Sequence, residues 1–454
     1  MGSGPSGGGG GDKGLSMSVF QTLRMAWADP DLRARILFVL AMFSVYTLGI
    51  HIAVPIPGIR PEDLTEQLSK NQFFQMINMF GGGALRRLSI FSLGLNPYIT
   101  ASIILQILTQ ANPKWKMEMR EGGEYARRAQ NKRTRFLSLG LCVAQGWGFL
   151  QMIMGGITNH AIFTPFVIFT VLMFWTSGAM FVLWLGEQIS ERGVGNGVSL
   201  MIFAGIIISL PNTVESLYTS VRDHQTAFWQ VAILLILFLG TTWFIVFFTV
   251  AQRRIPVQHM RRMQGTKQMG GQTSYLPLSV NMAGVIPIIF AISLVYLPAQ
   301  FGSWAAPDSW IHNAMEKVND YINPGSPTAL GWQIVIGSIS FSLLIFFFTY
   351  FYTAIQYNVD DIADNLKRGG SFIPGVRPGK QTSDFLNGVI SRITVVGAAF
   401  LAIVSLIQFL APRITGTTAR ISVLGGSTLL IMVSVALETM RQIEANLLMK
   451  RYNA

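Results

Sequence analysis

Long apolar runs separated by short loops rich in lysine and arginine make up most of this chain, and they restrict its fold more than any other feature. About ten runs fall near 33–54, 94–111, 134–157, 165–186, 198–211, 226–250, 280–298, 331–356, 388–411 and 421–441. Most hold about 18 to 25 residues, enough for a helix to cross the hydrocarbon of a bilayer. Inside lipid each backbone N–H and C=O must be satisfied within its own segment, so these runs predict an all-α polytopic membrane protein with ten transmembrane helices. Composition agrees, since 50% of the 454 residues are hydrophobic and only 12% are charged.

Alternating the runs across a membrane puts roughly 26 of the 34 lysines and arginines on one face. That face is predicted to be cytoplasmic and to hold both termini. It carries the stretch 112–135 and the loop with Arg253, Arg254, Arg261, Arg262 and Lys267. Most of the net charge of +12 therefore lies where anionic lipid would attract it. Residues 1–16 read as a disordered glycine-rich tail, with no basic-then-apolar signal peptide. Residues 17–32 are expected to form a cytoplasmic amphipathic helix with Val19, Leu23 and Ala26 or Trp27 on one face. The single cysteine, Cys142, leaves no partner for a disulfide within the chain.

Chemistry is hard to find in the spans. A buried charge costs several kcal/mol in the bilayer and is kept only where it works. Here Arg392, Glu438 and Arg441 lie near the ends of runs, where long side chains reach the interface. The histidines, His51, His160, His224, His259 and His312, are scattered without metal-ligand spacing, so no metal or cofactor is expected. The stretch Gly375 to Thr382, GVRPGKQT, spaces its glycines too closely for a phosphate loop. Beyond the glycine-rich tail, neither GxSxG nor HExxH occurs. Energy for any work must come from a partner or from the membrane potential.

One segment breaks the pattern. In FGGGALRRLSIFSLGLNPYITASIIL, Phe80 to Leu105, glycines 81–83, Arg86 and Arg87 interrupt what would otherwise be a span. Asn96 is expected to cap a helix whose first turn holds Pro97. Non-helical backbone is tolerated at membrane depth only against protein or a water-filled cavity, which points to a pore; a solvated outer loop is the alternative.

Eight blocks in order resemble the SecY family, the pore-forming subunit of the bacterial Sec protein translocase. They are IPGI, FGGGALRRLSIFSLGLNPYITASIILQIL, EGGEYARR, WLGEQISERGVGNGVSLMIFAGI, QRRIPVQ, LPLSVNMAGVIPIIFA, ADNLKRGGSFIPGVRPGKQT and GGSTLLIMVSVALETMRQIEANLLM. The resemblance implies two inverted five-helix halves around a central pore, residues 33–217 and 218–441, followed by a cytoplasmic tail at 442–454. It further implies a re-entrant plug half-helix at about 72–92, with Phe73, Phe74, Met76, Ile77, Phe80, Gly81, Gly82 and Gly83 among its residues.

By the same resemblance Leu95, Ile99, Ile202, Ile206, Ile289 and Ile431 form a pore ring. For each residue alone, plain helix packing is the competing reading. Asn281, at the start of the seventh span, and Gln106 are implied as a polar pair at a lateral gate. Arg253, Arg254, Arg261, Arg262, Lys267, Lys367, Arg368, Arg377 and Lys380 are implied to dock a ribosome or the SecA motor ATPase. SecE-like and SecG-like subunits, signal-sequence-bearing polypeptides and a bacterial plasma membrane complete the expectation. The implied function is a protein-conducting channel without bond chemistry. A secondary transporter would need a charged or ion-coordinating site at mid-membrane, and an intramembrane enzyme would need a catalytic dyad there.

Overall fold

The computed structural model describes residues 19–56, 78, 80–155, 163–224, 226–259, 262–264, 267–269, 273–304, 309–326, 329–415 and 425–453. A short surface helix, α1 (Val19–Ala28), ends where Asp29 caps α2 (Pro30–Ile50). The Asp29 carboxylate accepts from the Asp31 and Leu32 amides at 2.9 and 3.3 Å, and Pro30 has no N–H to leave unpaired. The break between surface helix and first long helix thus falls at Asp29, ahead of the apolar run, because the cap and not the hydropathy decides it.

Then follow α3 (Asn96–Ala111), α4 (Pro113–Glu121), α5 (Gly123–Gly155), α6 (Pro165–Arg192), α7 (Gly197–Arg222) and α8 (Phe228–Val250). Four strands come next: β1 (Gln252–His259), β2 (Arg262–Gln264), β3 (Lys267–Met269) and β4 (Thr273–Ser279). The chain continues through α9 (Ile286–Trp304), α10 (Trp310–Ile322), α11 (Gly331–Gln356), α12 (Val359–Arg368), β5 (Ser371–Phe372), α13 (Lys380–Thr415) and α14 (Gly426–Asn453).

Among the described residues, most of each apolar run lies on one of these helices. Among the described residues 6 helices are long and apolar enough to cross a membrane, namely α2, α6, α7, α8, α11 and α13. The 16 residues of α3 rise only about 24 Å, short of a hydrocarbon core of about 30 Å. Pro298 lies inside α9, which runs unbroken from Ile286 to Trp304. The 33 residues of α5 and 36 of α13 instead overrun a bilayer, carrying their polar first turns into water.

Helix neighbours repeat between the halves. In the first half α3 packs on α5, α5 on α6, and α6 on both α2 and α7, while α2 also touches α7. In the second half α9 packs on α11, α11 on α13, and α13 on both α8 and α14, while α8 also touches α14. The second set is the first with every helix advanced by five runs. The halves meet where α7 packs on α14 and where α9 reaches α5 and α3.

On the side of the basic loops, β4, β1 and β5 form a three-stranded sheet in that order, with β1 antiparallel to both neighbours. Ile255 and Val257 of β1 point into a small core with Leu278, Ile373, Leu386 and Val389, so the sheet is seated on the first turns of α13.

Candidate functional site

Residues 81–95 run between α2 and α3 as successive turns, not as a helix. Gly82 (φ 67°), Gly83 (φ 85°), Leu88 (φ 49°) and Gly94 (φ 53°) all take left-handed backbone, which no right-handed helix accommodates. Leu88 does so without being glycine, at a cost of about 1–2 kcal/mol. Bonds on both sides of it hold that conformation: Val54 N–H donates to Leu88 O at 2.8 Å and Ile90 N–H to Ile52 O at 3.0 Å. Ser89 Oγ donates to Gly49 O at 2.8 Å. Asn78 and Phe80 are helical, in keeping with the expected half-helix over 72–92, whereas its later part, 81–92, is folded instead as bonded turns. Phe73, Phe74, Met76 and Ile77 lie outside the described residues. Phe80 is half-buried and Gly81, Gly82 and Gly83 are buried.

Three helices receive this segment on bare backbone. A methyl group at Gly49 of α2 would stand 1.9 Å from the Phe91 ring, one at Gly178 of α6 1.9 Å from Ile90 O, and one at Gly205 of α7 2.1 Å from Phe80 O. Phe91 also stacks between Tyr46 and Phe181, with centroids 5.8 and 6.0 Å apart. At the edge, Arg87 Nη1 donates to Nε2 of His51, whose Nδ1 faces Thr47 O at 2.8 Å. A ring bonded to Thr47 O donates from Nδ1, leaving Nε2 as the acceptor.

The six expected ring residues come together. Leu95, Ile202, Ile206 and Ile431 are buried in one apolar cluster, and Ile99 and Ile289 pack partly buried against it. They arrive from α3 and its N-terminal flank, α7, α9 and α14, two elements from each half. Ile99 N–H bonds Leu95 O at 3.0 Å, which keeps that pair on one turn. Ala84 and Phe91 of the turn segment belong to the same cluster, and Phe80, just ahead of it, packs partly buried against it. Gly205 lies on the α7 face that carries Ile202 and Ile206, so the segment sits directly against the six aliphatics.

Other expectations are corrected. Asn96 is not a cap: Leu95 holds that position, Asn96 is already helical, and its amide donates to Gln145 of α5 at 3.3 Å. Asn281 and Gln106 are not hydrogen-bonded to each other. Gln106 donates to Ser102 of its own helix at 3.1 Å. Asn281 precedes α9 by a turn, its backbone lies against Gly397 of α13, and its Oδ1 is buried with no hydrogen-bond partner among the described residues. An acceptor left so costs about 1–3 kcal/mol.

The two basic loops form one surface. Arg253 and Arg254 are exposed on β1, whose far end pairs with β5 through Gln258 to Phe372 and His259 to Ser371. The His259 ring ties three strands, with Nδ1 2.6 Å from Ser371 Oγ and Nε2 3.2 Å from Ser274 Oγ. Lys367 and Arg368 close α12, exposed, at the end that favours cations. Arg377 projects from a turn between Gly375 (φ 83°) and Gly379 (φ 105°), where Thr382 Oγ1 donates to Arg377 O at 2.9 Å. Lys380 opens α13, exposed. Arg262 and Lys267 fall on the paired strands β2 and β3, and Arg261 lies outside the described residues.

A family model of SecY proteins matches residues 89–440. The chain belongs to the SecY family. It is similar to protein translocase subunit SecY of Pseudomonas aeruginosa, 39% identical over 428 residues that cover 93% of each chain. It is also similar to its counterpart in Staphylococcus aureus, 37% identical over 444 residues, 96% of this chain and 99% of that one. Its fold resembles a solved protein-conducting channel, TM-score 0.67 at 18% identity, covering 90% of this chain and 91% of the other. Sec61 in a canine ribosome-channel complex from the endoplasmic reticulum gives a TM-score of 0.65 at 15% identity, with 90% and 91% covered.

Within this SecY-family site, the sequence reading missed the glycines that receive the turn segment. Gly49, Gly178 and Gly205 are isolated in their helices, and an isolated glycine reads only as a weak spot. It also missed the joining of the basic loops through His259 and Ser371. The alternation of β1, with Ile255 and Val257 buried between exposed residues, was the available signal.

Proposed function

We propose that this SecY-family chain is the pore subunit of a protein translocase, passing unfolded polypeptide through the cluster of Leu95, Ile99, Ile202, Ile206, Ile289 and Ile431. The observation that carries the reading is that these six come from both halves of the molecule and meet in one apolar knot with the 80–95 segment against it. Branched aliphatic side chains hold a crossing chain without sequence preference, and a narrow apolar collar dewets and stops ions. The bonded turns of 81–95 act as the stopper. The segment's contacts with α2, α6 and α7, namely the Ser89 hydrogen bond to Gly49 O, the Phe91 ring on Gly49 and the Ile90 and Phe80 backbone on Gly178 and Gly205, all end if it moves away as a unit.

Five crossings per half is an odd number, so the second half starts from the opposite face and repeats the first upside down. The seam where α9 meets α3 and α5 then serves as the lateral gate for apolar segments, with Asn281, a turn ahead of α9, and Gln106 of α3 as its polar residues. With the basic loops inside, both termini are cytoplasmic in a bacterial plasma membrane. Arg253, Arg254, Lys367, Arg368, Arg377 and Lys380 make the docking face for the SecA motor or for ribosomal RNA phosphate. SecE-like and SecG-like chains complete the complex.

Crosslinking tests the reading. A stalled, half-translocated substrate carrying a photoreactive residue is expected to capture Ile99, Ile206 and Ile289, and capture only at lipid-facing positions such as Leu343 would overturn it.

A further inference from the structure

The amphipathic helix α10 joins α9 to α11 on the side away from the basic loops. At 100° per residue its exposed apolar side chains, Trp310, Tyr321, Val318 and Ile311, share an arc of about 100°. Exposed Asn313, Glu316 and Lys317 fill the neighbouring arc. The remaining arc is docked. His312 Nδ1 meets Gly302 O at 3.0 Å, and a methyl at Gly302 would stand 3.2 Å from Met315 Cβ. At the other end Asn323 Nδ2 donates to Asn319 Oδ1 at 3.3 Å and Asn323 Oδ1 accepts from Gly325 N–H at 3.0 Å. The turn that follows presses on α11, where a methyl at Gly337 would stand 3.0 Å from Pro324 N. The helix therefore cannot roll to bury its apolar arc.

The neighbouring surface identifies what covers that arc. The Tyr321 ring meets the Trp332 ring edge-on at 5.6 Å. Trp332 heads an exposed stripe on α11, continued by Val335, Ile336, Ile339 and Leu343 at helical spacing. The arc and the stripe form one apolar surface, with Trp310, Tyr321 and Trp332 at its edge, as aromatic residues gather at a membrane boundary. We propose that α10 is an interfacial anchor, lying in the outer leaflet with Trp310, Ile311, Val318 and Tyr321 in the headgroup–acyl boundary and Glu316 and Lys317 in water. It thereby fixes the outer ends of α9 and α11, one wall of the seam, to the level of the membrane surface. The inference rests on α9 and α11 crossing the membrane and is independent of the route taken by substrate.

The test uses the full chain in a Cys142→Ser background, reconstituted in bilayers of phospholipid brominated near the glycerol end of the acyl chain. Val318→Cys, Glu316→Cys and Ile339→Cys each carry an environment-sensitive nitrobenzoxadiazole label. The expected result is blue-shifted emission and loss of intensity to bromine at 318 and 339, with neither at 316. A label at 318 that is red-shifted and unquenched lies in water, and one that is blue-shifted and unquenched lies under protein; either overturns the anchor while quenching at 339 upholds the membrane reading. No quenching at 339 overturns both.

Discussion

Replacing Gly205 by alanine acts on the seated turn segment and on almost nothing else. The added methyl would stand 2.1 Å from Phe80 O, 3.0 Å from Phe80 C and 3.3 Å from Gly82 N, all backbone atoms that no rotamer change can move. Carbon and oxygen settle no closer than about 3.3 Å, so the segment must retreat by about 1.2 Å. Overpacking of this kind costs about 1–3 kcal/mol. An unseated segment escapes that cost, so the seated population falls relative to the unseated one by about 5- to 150-fold, at about 1.4 kcal/mol per tenfold. The assay is ion conductance of the reconstituted complex in planar bilayers without substrate, compared with Gly240→Ala, where nothing lies within 4 Å of the added methyl. Gly205→Ala is expected to leak and Gly240→Ala to stay tight. A Gly205→Ala protein with an unchanged melting temperature and an unchanged seal would refute the stopper role of residues 80–83. Gly178→Ala, which strikes Ile90 O from α6, repeats the test from another wall.

Other outcomes are equally open to measurement. Arg377→Glu is expected to abolish motor-driven or ribosome-bound transport while leaving the helical content unchanged, because the charge sits on an exposed turn; normal transport in proteoliposomes would remove the docking assignment. Ile431→Asn puts an amide in the buried cluster, where an unsatisfied group costs about 1–3 kcal/mol, and is expected to raise ion leak and admit defective signal sequences; an unchanged substrate range counts against the collar. Lys450 Nζ donates to Asp29 at 2.8 and 2.9 Å and to Asp31 at 2.7 Å, clasping the end of α14 to the start of α2. The Lys450 hydrogen bond, helped by the Leu32 and Asp31 amides, holds the Asp29 carboxyl below its ordinary 3.8, while the two carboxylates hold Lys450 above 10.5. The Asp29 contribution is thus present above 3.8 and lost as pH falls through the lowered value, and the Lys450 contribution is present below 10.5 and lost as pH rises through the raised one. Spin labels at the exposed Arg33 and Met449 are expected to give their narrowest distance distribution between those limits and a broader one outside them, and Lys450→Met is expected to broaden it at every pH, while the packing of Leu32 on Ile443 keeps the helices together.

What could be read from residues alone was whatever the bilayer or a single helix end imposes. Lipid leaves no partner for an open backbone group, so runs such as 226–250 and 331–356 had to be helices, and lysine and arginine counts sorted their loops. The helix start at Asp29 and Pro30 also rests on local bonding alone, although hydropathy set the boundary three residues later. Asn96 misled because a cap and a first helical residue differ by one position, and its amide found Gln145, 49 residues away, which no local pattern encodes. Glycines 81–83 permit left-handed backbone without requiring it, and the bonds from Val54, Ile90 and Ser89 decided the turns. The sequence by itself therefore determined which runs become apolar helices and where the backbone cannot stay regular. Only tertiary structure decided that α8 to α14 repeat the neighbours of α2 to α7, that the loops bearing Arg253 and Arg377 make one sheet, and that six aliphatics from four separated elements converge. Hydropathy ranks each residue against solvent, whereas convergence depends on which helix faces meet, and apolar faces look alike until packing tells them apart.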